Sequence, residues 1–267
     1  MLQSDHLKIV TINTWKCDGN YTLRMRLLAG QLKDLKPDII ACQECFYSDE
    51  GNADTLKFLA GQLKMKHCFL PGRLKKRLLE GKWVESFSGL GILSAYPIAF
   101  VNQFDLPAVP EDNDRKVQQA VICLPAGENI LVTNTHLTHL QYPIGLRKIQ
   151  AEALAGLVSA DKDFRYHVIC GDFNATSSSP EIETFINLTG AIDTYKAGKG
   201  AEPRYSLAGA YADNKLIGVD HIFALQAPGN GTYPEFINSG VVLNIPDEAT
   251  GLYPSDHFGI STTMAIS

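Results

Sequence analysis

Asp172 and Asn174 stand two residues apart in Ile169-Cys170-Gly171-Asp172-Phe173-Asn174-Ala175, directly after the hydrophobic run Tyr166 to Cys170. Side chains at i and i+2 of an extended chain point to the same side. A carboxylate and an amide there can address one point just past a strand end, either a metal-held phosphate or the closing contacts of a tight turn. Five other places set polar residues against an apolar segment: Asn13 with Thr14-Trp15, Gln43-Glu44, Asn134-Thr135-His136, Asp220-His221, and Ser255-Asp256-His257. Singly, each has a structural explanation, because Asn and Asp terminate strands and build turns, Ser255 can cap, and a lone His is commonly a satisfied one. Together they hold carboxylates, amides and three His, with no Lys nucleophile. Oxygen ligands suit Mg²⁺ or Mn²⁺, and His moves protons near neutral pH. A Ser/His/Asp hydrolase would need a G-x-S-x-G elbow, which the sequence lacks.

These residues need elements that bring them together. Leu7 to Asn13 alternates as a strand does, and Tyr21 to Leu35 places Leu23, Leu27, Leu28, Leu32 and Leu35 at helical spacing, closed by Lys36-Pro37. Asp38 to Cys42 reads as a short strand, Asp54 to Leu63 as a helix, and Gly89 to Ser94 as a strand after a polar loop, so the opening is β-α-β-α-β. Ile98 to Phe104, Val117 to Leu124 and Asn129 to Thr135 read as consecutive antiparallel strands. A helix over residues 144–159 precedes the Tyr166 strand, and one over Pro180 to Leu188 follows it. Later strands fall at Val219 to Leu225, Phe236 to Leu243 and Phe258 to Ala265. Lys196 to Ser206 reads as a loop rather than a boundary. With no linker, repeat or low-complexity tract, residues 1–267 are expected to form one mixed α/β domain, whose strand ends gather where open α/β folds bind ligands.

The 267 residues are 45% hydrophobic and 20% charged, and 24 Lys+Arg against 29 Asp+Glu leave a net charge of -5. No global basic field therefore draws the chain to nucleic acid or an anionic membrane; polyanion binding has to be local. No apolar run reaches membrane-spanning length, and the amino terminus lacks a signal-peptide pattern. The expected location is cytoplasmic, or secreted if a signal peptide has been removed, and the expected state is a monomer. The six Cys sit mostly in apolar runs, as buried thiols do. Cys42-Gln43-Glu44-Cys45 matches C-x-x-C, but no second pair or His cluster accompanies it, and the structural reading is preferred.

The order Asn13, Gln43-Glu44, Asn134-Thr135-His136-Leu137, Gly171-Asp172-Phe173-Asn174, Val219-Asp220-His221-Ile222-Phe223 and Ser255-Asp256-His257 resembles the endonuclease/exonuclease/phosphatase superfamily, the DNase I-like metal phosphohydrolases. Gly91 to Ile98 resembles the family's central strand. The resemblance runs from Ile9 to Ile260, and it implies a four-layer α-β-β-α sandwich of two mixed β-sheets flanked by helices, with the active site at one end. It also implies a divalent cofactor, Mg²⁺ or Mn²⁺ with Ca²⁺ as an alternative, held by Glu44 with Asn13 and Asp256. Asp172 and Asn174 look like the pair that activates or positions the attacking oxygen, and His257 like the His beside the scissile phosphate, oriented by Asp220. His136 is similar to the His of the DNase I-like and sphingomyelinase-like branches, whereas abasic-site endonucleases have Tyr there.

The substrate is less legible. Gly72-Arg73-Leu74-Lys75-Lys76-Arg77-Leu78-Leu79-Glu80 is the most basic short run and reads as a solvated helix or flap, with contact to a phosphate-rich substrate at the site mouth as its functional alternative. Arg115 is a substrate-binding candidate, with Arg147 behind it and Trp15 as a packing residue or pocket wall; His139 and His221 read as supporting or surface residues. The leading expectation is a metal-dependent phosphodiesterase or phosphatase acting on a small or lipid-like phosphoester. A nuclease acting on DNA or RNA is the alternative, and a catalytically silent binding domain of the same fold is the reading outside enzymes.

Overall fold

The computed structural model describes residues 6–125, 127–142, 145–161, 163–207, 217–229 and 231–266. In chain order the elements are β1 (His6–Asn13), α1 (Tyr21–Leu35), β2 (Ile39–Ser48), β3 (Ala53–Asp54), α2 (Thr55–Leu63), β4 (Lys66–Pro71), β5 (Lys75–Leu79), β6 (Lys82–Ser94) and β7 (Ile98–Asp105). They continue with β8 (Lys116–Cys123), β9 (Asn129–His136), α3 (Leu146–Ala160), β10 (Tyr166–Asp172), α4 (Pro180–Thr189), β11 (Ile192–Asp193), α5 (Thr194–Ala197), β12 (Asp220–Ala224), β13 (Phe236–Val242) and β14 (Gly259–Ala265).

Two sheets result. One runs β13-β14-β1-β2-β6-β4, with β3 on β2 and β5 on β6; the other runs β11-β12-β10-β9-β8-β7. Each is mixed, because β1 pairs parallel with β2 and β9 parallel with β10 while their other neighbours are antiparallel. Three apolar clusters fill the spaces of a four-layer sandwich. Ile9, Ile39, Val132, Val168 and Ile222 meet between the sheets; Val10, Ile12 and Leu93 pack with Leu28 and Leu32 of α1 and Leu59 of α2; Ile169 and Phe223 pack with Leu154 of α3 and Phe185 of α4. The α-β-β-α expectation is met.

Helix boundaries match the sequence reading closely, because the stop signals are local. Asn20 and Asp54 cap α1 and α2 through their side chains, and Lys36 and Lys64 end them in the left-handed conformation. The buried stripe of α1 is Tyr21, Arg24, Met25, Leu28, Ala29 and Leu32, so the expected face was rotated: Leu23, Leu27 and Leu35 are only half-buried. The larger differences are in strands. The expected short strand Asp38 to Cys42 continues to Ser48, and the expected polar loop before Gly89 is ordered as β4, β5 and the start of β6. The basic run is accordingly a ribbon strand, not a helix, because cross-strand pairing with β6 outweighs the mixed pattern of its residues. Lys196 to Ser206 is tied into the body, its Gly198 carbonyl accepting from Ser239 N and its Arg204 pairing with Asp193.

Cys42 and Cys45 flank a bulge, since Cys42 pairs with Gly91 and Cys45 with Gly89. Both thiols are free and fully buried against the α1–α2 layer, and burial pushes Cys45 well above the usual thiol range. Cys42→Ala and Cys45→Ala should each lower stability by about 1 kcal/mol or more through lost packing and leave turnover intact. Lost turnover at unchanged stability, or bound zinc, would contradict the structural role.

His167 carries a second prediction. It is 2% exposed, with Nε2 2.9 Å from Thr133 Oγ1 and Nδ1 without a partner among the described residues. Burial pushes its imidazole from 6.5 down to about 3. The unfolded chain therefore takes up this proton first on acidification, so the stabilisation is full above 6.5 and is lost as pH falls toward 3. Between about pH 7 and about pH 5 the wild type should lose about 2 kcal/mol relative to His167→Gln in urea unfolding. Parallel pH profiles for the two proteins would refute it.

Candidate active site

Strand periodicity builds the site. In β1, residues 7 and 9 face the other sheet and 10 and 12 face the helices, so Asn13 falls on the inter-sheet face. The same alternation puts Gln43 in line with Ile39 and Ala41, Asn134 and His136 with Ile130 and Val132, Asp172 with Val168 and Cys170, and Asp220 with Ile222 and Ala224. Pairing brings these positions to one end. The parallel pairs align Asn13 with Gln43 and Asp172 with His136, and the antiparallel pair sets Asp220 opposite Asp172. β14, antiparallel to β1, delivers Ser255-Asp256-His257 to the same edge. Gly171 makes the last step possible, since a Cβ there would collide with the Thr135 carbonyl of β9.

Asp172 is the hub. Its Oδ2 accepts from Asn13 Nδ2 at 3.0 Å and lies 3.3 Å from His136 Nε2 and 3.7 Å from His257 Nε2. His257 Nδ1 is 2.8 Å from Asp220 Oδ2. Burial, reinforced by the Asp220 charge, raises the Asp172 carboxyl to about 7. Burial opposes charge on His257, but Asp220 and then Asp172 overcome it and lift the imidazole to about 10. His136 goes the other way, held well below the usual range by burial and then by the Arg115 and His257 charges. The dyad expected between His257 and Asp220 is present.

Asn174 is placed differently from the expectation. β10 ends at Asp172, and Asn174 is left-handed at φ 50, so the two side chains do not run in parallel. Asp172 Oδ1 accepts from Asn174 N at 2.9 Å, an Asx turn, while Asn174 Nδ2 donates to the Leu137 carbonyl at 3.0 Å. The tight-turn reading therefore holds for this side of Asp172. Its other oxygen faces the cluster.

Glu44 lies in the β2 bulge rather than at a strand end, left-handed at φ 54, where the extra residue re-aims its side chain. Its Oε2 is 3.2 Å from Lys16 Nζ. Asp256 accepts from Ser255 Oγ at 3.2 Å, and its carboxyl is raised by burial and by the nearby Glu44 charge, against the lowering pull of His257. Glu44 and Asp256, close enough for one charge to raise the other carboxyl, are oxygen donors of the kind a hard cation takes. Asp172, Asp220 and His257 also place ligand atoms within 4.8 Å of one another. His257 Nδ1 is engaged by Asp220 Oδ2, which leaves His257 Nε2 facing Asp172 Oδ2 at 3.7 Å.

Of the substrate candidates, Arg115 lines a cleft of about 190 Å³ beside Glu44 and His136, where its Nε lies 2.8 Å from both Asp112 oxygens. Arg147 is anchored, donating to the carbonyls of Thr138, Leu140 and Asn174. Trp15 stacks with Arg24, 4.8 Å from ring centroid to guanidinium, and is not a wall of the cleft. His139 is exposed at the cleft rim, 3.2 Å from Arg115, whereas His221 is fully buried between Arg204 and the Ala175 carbonyl.

Three contributors went unread in the sequence. Lys16 left no pattern beyond its neighbourhood to Asn13. Ser206, whose Oγ accepts from Val219 N and Asp220 N, likewise left none. Arg24 did leave one, as the charged member of the α1 stripe. It is fully buried and donates to the carbonyls of Thr14, Trp15, Lys16, Asp18 and Pro254.

Solved structures share this fold at low identity. An endonuclease/exonuclease/phosphatase family protein from Bacteroides thetaiotaomicron superposes with a TM-score of 0.75 at 16% identity over 98% of both chains. A mannosyl-6-phosphatase from the same organism gives 0.73 at 17% over 97% of this chain and 100% of that one. The human Nocturnin catalytic domain with bound sulfate gives 0.73 at 17% over 100% and 96%. Among curated proteins the sequence has no significant match. Residues 10–257 match the Endonuclease/Exonuclease/phosphatase family, and with the Asp172-centred cluster at the end of a four-layer sandwich the chain belongs to that family.

Proposed function

We propose that the chain is a divalent-metal-dependent hydrolase of small phosphoesters. The observation that carries this reading is the convergence on Asp172 Oδ2 of Asn13 Nδ2, His136 Nε2 and His257 Nε2, with Asp220 behind His257 and Glu44 and Asp256 alongside. The net charge of -5 favours a small ester over a nucleic-acid strand.

In the proposed reaction the oxygen of water bonds to phosphorus as the ester P–O bond breaks. Asp172 takes the water proton, its carboxyl being raised to about 7, close to where a general base works best. His257, lifted to about 10 and fixed through Nδ1 by Asp220, donates from Nε2 to a phosphoryl or leaving oxygen. Asn13 and neutral His136 hold Asp172 in place, and Asn174 fixes its other oxygen through the backbone. Glu44, Asn13 and Asp256 would hold Mg²⁺ or Mn²⁺, which supplies positive charge to the phosphoryl oxygens. The deciding measurement is a screen of phosphomonoesters, phosphodiesters, nucleotides, nucleic acids and sphingomyelin with Mg²⁺, Mn²⁺ and Ca²⁺. Activity confined to nucleic acid would replace the small-ester reading.

Glu44→Gln should weaken Mg²⁺ binding in calorimetry by about tenfold or more and lower turnover with it. Unchanged affinity would remove Glu44 from the metal site. His257→Ala and Asp220→Ala should each cost roughly 10²–10⁴ in turnover, with the double variant little worse than His257→Ala alone. Multiplicative losses would mean that the two residues work independently.

A further inference from the structure

The cleft beside Glu44 and His136 has a charge pattern that the reaction does not use. Six cations line it, Lys16, Arg73, Lys75, Arg77, Arg115 and Lys116, against the carboxylates of Glu44, Glu111, Asp112 and Asp114. Four of the cations have carboxylate partners: Lys16 with Glu44 at 3.2 Å, Arg115 with Asp112 at 2.8 Å, Arg73 with Asp114 at 3.8 Å, and Lys116 with Asp105 at 3.8 Å. Lys75 and Arg77 have no carboxylate within 4.0 Å among the described residues, and Arg77 donates only to Ser86 O and Ser86 Oγ.

Their placement is built rather than incidental. They sit at i and i+2 of β5, both half-buried, while Leu74, Lys76 and Leu78 between and beside them are exposed, so the ribbon turns both cations to the cleft. Arg73 fastens the base of that ribbon to the opposite wall, donating to Asn113 Oδ1 and the Glu111 carbonyl. Burial lowers the Lys75 ammonium and the Arg77 guanidinium, a cost that an anionic partner would offset.

We propose that Lys75 and Arg77 form a subsite for a second phosphomonoester group, so that the substrate is a compact bisphosphorylated small molecule with one phosphate at Asp172 and His257 and the other in the cleft. This rests on the hydrolase reading above and specifies its substrate. Two cations with no carboxylate in contact suit the two charges of a phosphomonoester, with the Asp114 charge acting on both only from a distance, and a guanidinium fork beside an ammonium is a donor set for its oxygens. A strand of nucleic acid offers one charge per phosphate and needs a continuing groove. The cleft, at about 190 Å³, lies below the ~300–1,000 Å³ that encloses a whole ligand, and it has room for one group of a ligand seated at the reactive end.

The test compares wild type with the Lys75→Gln/Arg77→Gln double variant on adenosine 5′-monophosphate, adenosine 3′,5′-bisphosphate, fructose 6-phosphate, fructose 1,6-bisphosphate and a single-stranded oligonucleotide, with Mg²⁺. The wild type should favour a bisphosphate over its monophosphate by about tenfold or more in kcat/KM, mainly through KM, and the variant should lose most of that preference. Equal losses on both members of a pair, or no preference in the wild type, would overturn the subsite. So would losses that grow with oligonucleotide length, which would make this face a strand groove. In parallel, inorganic phosphate is titrated calorimetrically into chelator-treated protein. Phosphate binding weakened about tenfold in the double variant supports the subsite even if no ester in the panel is hydrolysed, an outcome that would count against the hydrolase reading alone. Binding equal in the two proteins, or absent from both, overturns the subsite while leaving the hydrolase reading standing.

Discussion

Everything at the reactive end depends on polar groups buried between two sheets that have to pair with each other. The inter-sheet space is apolar along most of its length, and apolar contact alone tolerates sliding. At one end Asn13 donates to Asp172 across the gap, Gln43 donates to Asn134 at 2.7 Å, and Asn134 donates back to the carbonyls of Cys42 and Gly91. An amide or carboxylate left unpaired there would cost several kcal/mol. These bonds form only when β1 and β2 face β9 and β10 in this one alignment, although Gln43 Oε1 has no partner among the described residues. The polar cluster around Asp172 and the register of the sandwich are thus secured by the same bonds.

The loops of the site depend on a second buried group. Trp15 and Lys16 are both left-handed, at φ 55 and 42, a conformation in which a side chain is strained and carbonyls turn inward. Arg24 takes up those carbonyls together with those of Thr14, Asp18 and Pro254. Five guanidinium N–H groups are what such a cradle demands, and a lysine would leave most of it unsatisfied. One side chain of α1 thereby fixes both the loop that carries Lys16 and the turn that carries Asp256 and His257.

How much of this was legible follows from the range of the forces. Helix ends rest on caps and left-handed residues close in sequence, and they were read nearly to the residue. The polar positions of the cluster were legible because each interrupts an apolar alternation: Asn13 after Leu7, Ile9 and Thr11, and Asp172 after Val168 and Cys170. Three things were not. The β5–β6 ribbon is held by pairing that a mixed basic sequence does not advertise, the Glu44 bulge arises from one surplus residue against β6, and Ser206 left no pattern at all, whereas the turn at Asn174 was one of the two readings that its spacing from Asp172 allowed. Ser206 is the extreme case, since its role exists only where a remote loop meets the start of β12.

Charge gives the physical reason for including a metal ion in the proposed reaction. Asp172, Asp220, Glu44 and Asp256 bring four carboxylates together, and only His257 and Lys16 among the groups in contact with them carry positive charge near neutral pH; His136 is held neutral by burial and its cationic neighbours. Negative charge is left over, even with Asp172 raised to about 7 and so only part-ionised near neutral pH. A phosphoester, itself anionic, would be repelled from such a site, and repulsion between unscreened charges at contact distance outweighs what a few neutral donors return. In the proposed reaction a divalent cation on Glu44, Asp256 and Asn13 would offset that charge. The excess positive charge on Lys75 and Arg77 lies outside this balance, on a ribbon that reaches the site from the side. It cannot neutralise the buried carboxylates, but it can hold the part of a substrate that does not react.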